Sequence, residues 1–267
     1  MVGGRTGGIS EGTEVRIPQA IFTSLRGEQF AGYQLAAKSG EIGEDLAREL
    51  NTWGPAHDSL LDEKSGEPSV NFHPLGREHY CLSLTSSSGP EYSGRAGARI
   101  YTQMFVLSQE SLARFENNPL LILRTLEAAG RVIVHDELPP TLRSVPLVGR
   151  AGEADMGDME RVLEQIPPEA LTELVTAVLE SSCVGLAMSI APRCLFSALF
   201  QLLPQEDRPK VSFTTGLRHS VRRPFRLFLL PEDPAIRRQF QRQSDVKVVE
   251  LQPKKASSAR VGSKATA

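Results

Sequence analysis

The densest chemistry in this chain belongs to its arginines. Arg218, Arg222, Arg223 and Arg226 fall in a stretch that contains no acid. Guanidinium forks suit bidentate recognition of phosphate or carboxylate. The cluster therefore reads either as a docking surface for an anionic partner or as a solvated turn whose arginines pair with acids of the body. Its place between Val211-Ser212-Phe213-Thr214-Thr215 and a strand from Phe225 predicts an arginine-rich hairpin, with Phe225 facing the core and Arg226 facing out. A nucleic-acid surface is a third reading, for which Phe213 and Phe225 are the only nearby stacking platforms. A second polar concentration is Glu91-Tyr92-Ser93-Gly94-Arg95-Ala96-Gly97. Its glycines permit close backbone approach, and Arg95 can reach an acidic group. An ordinary loop before a core strand explains that composition equally well.

Nucleophiles and metal ligands are sparser. His79 and Cys81 lie two apart on a strand-like run and so share a face. A Cys–His hydrolase is conceivable there, provided the thiol pKa is depressed. His57-Asp58 and His135-Asp136 are HD dipeptides, but neither sits on a helix with further converging ligands, so no metal is expected. Cys81, Cys183 and Cys194 contain no C-x-x-C pair, which argues against a disulfide framework and a thiolate zinc site. No G-x-x-x-x-G-K-[ST] occurs. Val148-Gly149-Arg150-Ala151-Gly152 is a lone G-x-x-G that a connecting loop explains. Turnover of nucleoside triphosphates and a bound cofactor are not expected.

The elements that must position these groups come from ordinary globular composition, with 267 residues, 40% hydrophobic and 23% charged. No apolar run is long enough for a membrane helix, and Met1 to Thr13 carries no apolar signal core, so a cytoplasmic protein is expected. Net charge of −2 conceals an asymmetry. Residues 1–207 carry 16 Lys+Arg against 28 Asp+Glu, and residues 208–267 carry 14 against 4. A basic quarter on an acidic body can bind phosphates, dock on an acidic surface, or neutralise its own other half.

Residues 1–12 and 253–267 are poor in apolar side chains and are expected to be disordered, flanking one domain over 13–252. Within it, strands are predicted at Gln19 to Leu25, Tyr33 to Lys38, Ser69 to Pro74, Glu78 to Thr85 and Arg99 to Leu107. Ser86 to Gly97 reads as a polar loop. Glu44 to Trp53 is helical, with Leu46, Leu50 and Trp53 on one face and Gly54-Pro55 as the stop. Ser108 caps one helix and Pro119 opens another. Arg131 to His135 and Val145 to Val148 are strand-like. Helices follow over Met156 to Ile166 and beyond Pro167-Pro168, then a strand from Cys183 to Ser189 and an apolar helix from Cys194 to Leu203. Strands at Lys210 to Thr215, Phe225 to Leu230 and Val246 to Leu251 enclose a polar helix at Asp233 to Gln243. Hairpins mixed with helical crossovers predict a mixed α/β (α+β) domain with a mixed or largely antiparallel sheet.

Three segments together resemble a known family. They are Phe22-Thr23-Ser24-Leu25-Arg26-Gly27 leading to Gly32-Tyr33-Gln34-Leu35-Ala36-Ala37-Lys38-Ser39, then Tyr92-Ser93-Gly94-Arg95-Ala96-Gly97 before Tyr101-Thr102-Gln103, and Leu203-Pro204 to Ser212-Phe213-Thr214-Thr215-Gly216. In that order they resemble the N-terminal domain of bacterial GTPase-associated proteins, over roughly Gln19 to Leu230. The resemblance implies a non-enzymatic adaptor that couples a small GTPase to effector proteins in a conflict or signalling system. It also marks the loop at Tyr92, Gly94 and Arg95 as family-like.

Overall fold

The computed structural model describes residues 14–26, 31–64, 66–90, 98–151 and 156–254. The first half is built from β-formers in long strands: Val15–Ile17 (β1), Gln19–Arg26 (β2), Ala31–Lys38 (β3), Ser69–Leu75 (β4), His79–Pro90 (β5) and Ala98–Ser108 (β6). Five of them pair antiparallel in the order β4-β5-β6-β2-β3. The β4–β5 turn falls at Gly76, whose φ of +61° suits glycine. β5 continues to Pro90, so the expected loop from Ser86 is strand as far as that residue. The length of β6 provides partners for it, with Ser86 opposite Tyr101 and Ser87 opposite Ile100. Tyr92, Gly94 and Arg95 lie outside the described residues.

Helix Glu44–Trp53 (α1) ends at Gly54 as predicted, and glycine is required there for a second reason. A Cβ at Gly54 would sit 2.3 Å from the Phe22 ring. Ser108 caps Gln109–Ala113 (α2), its Oγ accepting from Ser111 N at 3.1 Å. Asn118 caps Pro119–Ala128 (α3), its Oδ1 accepting from Leu120 N at 3.0 Å.

Residues 131–135 do not form the expected strand. Their backbone groups find partners in β6 side chains instead. Gln103 Nε2 donates to Arg131 O at 3.0 Å, and Gln103 Oε1 accepts from Ile133 N at 2.9 Å. The Tyr101 hydroxyl donates to Ile133 O and accepts from His135 N, both at 3.3 Å. Residues 101 and 103 point to one face of the sheet, so the segment lies across that face and joins no edge.

The second half comprises Val145–Leu147 (β7), Gly157–Gln165 (α4), Pro168–Glu180 (α5), Val184–Ala187 (β8), Pro192–Leu202 (α6), Phe213–Thr214 (β9), Leu227–Leu229 (β10), Pro234–Gln241 (α7) and Lys247–Glu250 (β11). β7 pairs with β1 in a separate two-stranded antiparallel sheet. β11, β8, β10 and β9 are parallel, and β9 joins β4 antiparallel. Among the described residues a nine-stranded mixed sheet results, in the order β11-β8-β10-β9-β4-β5-β6-β2-β3. The arginine-rich hairpin is therefore corrected: Leu227 lies opposite Phe213 in parallel pairing, and the residues between form a crossover loop. The fold is α+β, as the sequence predicts.

Alternation along the strands assigns the two faces. Val70, Phe72, Leu82, Leu84, Phe105, Leu107 and Phe213 face α2 to α6 in the main core. Phe213 is fully buried between Phe196 and Phe200, each 5.1 Å away, which stabilises by about 2–3 kcal/mol. On the opposite face Ala20, Phe22, Leu75, Cys81, Met104 and Val106 meet Ala47 and Leu50 of α1, while Phe228 and Leu230 meet Phe240 of α7. Beside the α1 cluster, on that same face, the sheet carries buried polar side chains. Asn71 Oδ1 accepts from Ser69 Oγ at 2.9 Å and Thr214 Oγ1 at 2.6 Å, and Asn71 Nδ2 donates to Ser83 Oγ at 3.3 Å and Thr85 Oγ1 at 3.1 Å. This network stitches β4 to β5 and to β9, where the antiparallel and parallel halves meet.

At the C-terminal end of the described chain, Lys254 N donates to Gln165 O at 2.7 Å, and Lys254 Nζ donates to Leu163 O. Of residues 1–12 and 253–267, where disorder is expected, all but 253 and 254 lie outside the described residues.

Candidate functional site

The crossover loop between β9 and β10 holds all four predicted arginines, in two different conditions. Residues 216–218 pair with 59–61: Leu61 N donates to Gly216 O and Arg218 N to Ser59 O, both at 2.8 Å. Arg218 Nε donates to Leu60 O at 3.0 Å. Arg223 Nη2 donates to Ser59 Oγ at 2.6 Å, and burial lowers its pKa. Arg226 reaches four backbone carbonyls: Ser181 at 2.8 Å, Lys210 at 2.9 Å, and Val178 and Ser182 at 3.3 Å. Two of these belong to the C-terminal end of α5, where a cation is favoured. Arg223 and Arg226 are thus anchors, bound to carbonyls and a hydroxyl and not to carboxylates. Arg222 is exposed beside Val221, which is 91% exposed. The loop presents Val221 and Arg222 from a base held by their neighbours.

Below this loop lies a cleft of about 330 Å³ that the sequence gives no sign of. It opens where the C-terminal ends of β8, β9 and β10 meet, the position at which open parallel sheets place ligands. Asp62, Glu67 and Glu232 make it acidic. Among the described residues its one arginine is Arg193, which is held by both oxygens of Glu127 at 2.8 Å. The parallel pairing of three short strands forms one side of this cleft, and that pairing leaves no mark in residue spacing.

The remaining sequence candidates are scattered. Cys81 is fully buried and burial pushes its thiol up to about 12, far from a reactive thiolate. Its cross-strand neighbour is His73, while His79 lies opposite Leu75, and no hydrogen bond joins His79 to Cys81. His57 Nδ1 lies 2.9 Å from Asp58 Oδ1, in a turn where Asp58 takes φ +60°. His135 lines a separate cleft under residues 131–146. Among the described residues no three His, Cys, Asp or Glu gather to hold a metal. Gly149 O accepts from Arg114 Nη2 at 3.0 Å, tying the G-x-x-G loop to the end of α2. Phe213 and Phe225 are both buried, so neither offers a ring for base stacking. Among the described residues no helix is long and apolar enough to cross a membrane.

Sequence reasoning missed a buried glutamine pair. Gln19 on β2 and Gln103 on β6 are 8% and 3% exposed, and Gln103 Nε2 donates to Gln19 Oε1 at 2.9 Å. The available signal was a glutamine in each β-forming run, Gln19 at the start of one and Gln103 in the middle of the other, where an apolar side chain is the usual occupant.

Neither a curated protein nor a solved structure matches the chain significantly. A family does match, over residues 16–144, which hold β1 to β6 and α1 to α3. Two of the three segments that carry the resemblance fall inside that range, and the third, Leu203 to Gly216, lies beyond it. Residues 16–144 match the family described as GTPase-associated protein 1, N-terminal domain type 2.

Proposed function

We propose that this protein is an interaction module that binds a small GTPase, or an effector that the GTPase controls, in a bacterial conflict or signalling system. The observation that carries the proposal is the family match over residues 16–144, whose description names association with a GTPase. The role is that of a non-enzymatic adaptor. The docking surface is the crossover loop, where Val221 and Arg222 project and Arg218 stands exposed beside them. Arg223 and Arg226 serve that surface by fixing its base. An apolar tip flanked by arginines fits an acidic surface with an apolar centre.

The test is binding of the purified full chain to the small GTPase encoded nearest to it, loaded with GDP or with a non-hydrolysable GTP analogue. Binding that prefers one nucleotide state, weakens with salt and falls at least tenfold in Arg222→Glu is expected. No binding in either state overturns the GTPase reading. Binding that Arg222→Glu leaves intact keeps the partner and removes the loop as its docking surface.

A further inference from the structure

We propose that the cleft between the sheet face and residues 131–146 is an anion site that takes the phosphate or carboxylate group of a small molecule. The cleft has a volume of about 430 Å³, and Arg16, Arg131, Arg143 and His135 line it. It lies on the face of β2 and β6 that Gln19 and Gln103 occupy, away from the crossover loop.

Three features separate this cleft from an ordinary patch of surface arginines. First, two of its cations have no counter-ion. Among the described residues neither Arg131 nor Arg143 makes an ion pair or a side-chain hydrogen bond, while Arg16 has only a solvent-exposed contact with Glu14 at 3.4 Å. Second, Arg131 Nε is shut off from solvent with no hydrogen-bond partner, alone in this respect among the described buried side-chain nitrogens and oxygens. A desolvated, unpartnered guanidinium N–H is unfavourable, and a bound anion would offset that cost by neutralising the group. Third, the arginines are held in place from behind. Gln103 Nε2 donates to the carbonyl of Arg131 at 3.0 Å and Gln19 Nε2 to the carbonyl of Arg143 at 2.8 Å, and the two glutamines bond each other. One buried clip therefore fixes the backbone of both cationic residues, so a ligand has only their side chains left to order.

The Ser144 hydroxyl in the wall is already engaged. Ser144 Oγ donates to Glu41 at 2.6 Å, which with the nearby Arg16 lowers the pKa of that carboxyl. Glu41 and Glu14 offset part of the positive charge near Arg16. They leave Arg131 and Arg143 as the donors for a ligand oxyanion, and the planar fork of each matches its oxygens.

The experiment titrates the full chain with sodium phosphate or sodium malonate, ionic strength being held constant with sodium chloride. Calorimetric binding and thermal denaturation are the readouts. One saturable site is expected for at least one of the two anions, with a rise in melting temperature that chloride does not produce. Arg143→Ala, at an exposed position, should weaken binding by roughly tenfold or more while leaving the ligand-free melting temperature unchanged. Arg131→Ala should weaken it similarly, and Arg77→Ala, on the distant β4–β5 turn, should not. Phosphate alone assigns a phosphate site, malonate alone a carboxylate site, and both together a general oxyanion site. The proposal is overturned if neither anion differs from chloride, or if Arg143→Ala binds as the parent does. Should Arg131→Ala fail to fold, the Arg143 result decides.

Discussion

Arg226 and Arg222 are four residues apart in one basic cluster, yet their removal should have opposite consequences. Arg226→Ala takes away two short charge-assisted hydrogen bonds, to Ser181 O at 2.8 Å and Lys210 O at 2.9 Å, and two long ones at 3.3 Å. For a half-buried group each short bond contributes about 1 kcal/mol net, and the long ones add little. The cation at the end of α5 contributes about 0.3–1 kcal/mol more. The loss is then about 2–3 kcal/mol, and for a chain of this length it lowers the melting temperature by roughly 5–10 °C. Arg222→Ala removes an exposed side chain and should stay within about 0.5 kcal/mol. Scanning calorimetry of the parent and both variants at one pH and salt concentration measures the difference. If Arg226→Ala melts with the parent, or Arg222→Ala falls as far as Arg226→Ala, the division of the cluster into anchors and a presenting tip is wrong.

Asn71→Ala should cost about 3–4 kcal/mol, because it leaves a small cavity and strips partners from Ser83, Thr85 and Thr214 at the join of the two half-sheets. Urea denaturation measures it, and a loss under about 1 kcal/mol would show that the network is dispensable. Acid should also weaken the fold before the carboxylates titrate. Burial lowers the pKa of His73, and of His219 against Phe228, below the ordinary 6.5. The unfolded chain then binds protons that the folded chain refuses, so this stability is complete above pH 6.5 and declines as pH falls below it. Denaturation at pH 7.5 and pH 5.5 should show the decline, and His219→Gln should make it smaller. A stability independent of pH across that interval refutes the neutral buried histidines.

Local elements were legible because local chemistry decides them. Ser108 is a cap by residue type, Pro119 and Pro168 are helix openers, and the Arg99 to Leu107 run is dense in β-formers. Pairing was less legible. Phe213–Thr214 is a two-residue strand, and only its neighbours decide that it runs parallel to β10 and antiparallel to β4. Residues 131–135 have strand composition, yet Tyr101 and Gln103 supply the hydrogen bonds that a strand would have supplied. The same limit applies to the arginines. Their spacing shows a cluster, but the carbonyls that hold Arg226 come from residues 178, 181, 182 and 210. Arg131 and Arg143 form no cluster in the sequence because each is isolated there, and the Gln19–Gln103 pair that brings their carbonyls together spans two strands.

The family match ends at residue 144, but the packing does not divide there. The main core contains Val70, Phe72, Leu82 and Phe105 from the matched segment together with Val162, Leu174, Leu186, Phe196 and Phe213 from beyond it. β4 has β5 on one side and β9 on the other, and the Thr214 hydroxyl donates to Asn71 Oδ1 across that join. Without residues 145–254 the matched segment would expose a large apolar face and leave β4 as an open edge, a combination that favours aggregation. The crossover loop is bound to the matched segment as well, through Ser59, Leu60 and Leu61. A partner docking on Val221 and Arg222 therefore presses on a loop that leans on residues 59–61, while the arginine cleft lies at the far side of the same sheet. Both proposed sites are carried by one framework, yet they share no side chain, which is why the variants at Arg222 and Arg143 can be read independently of each other.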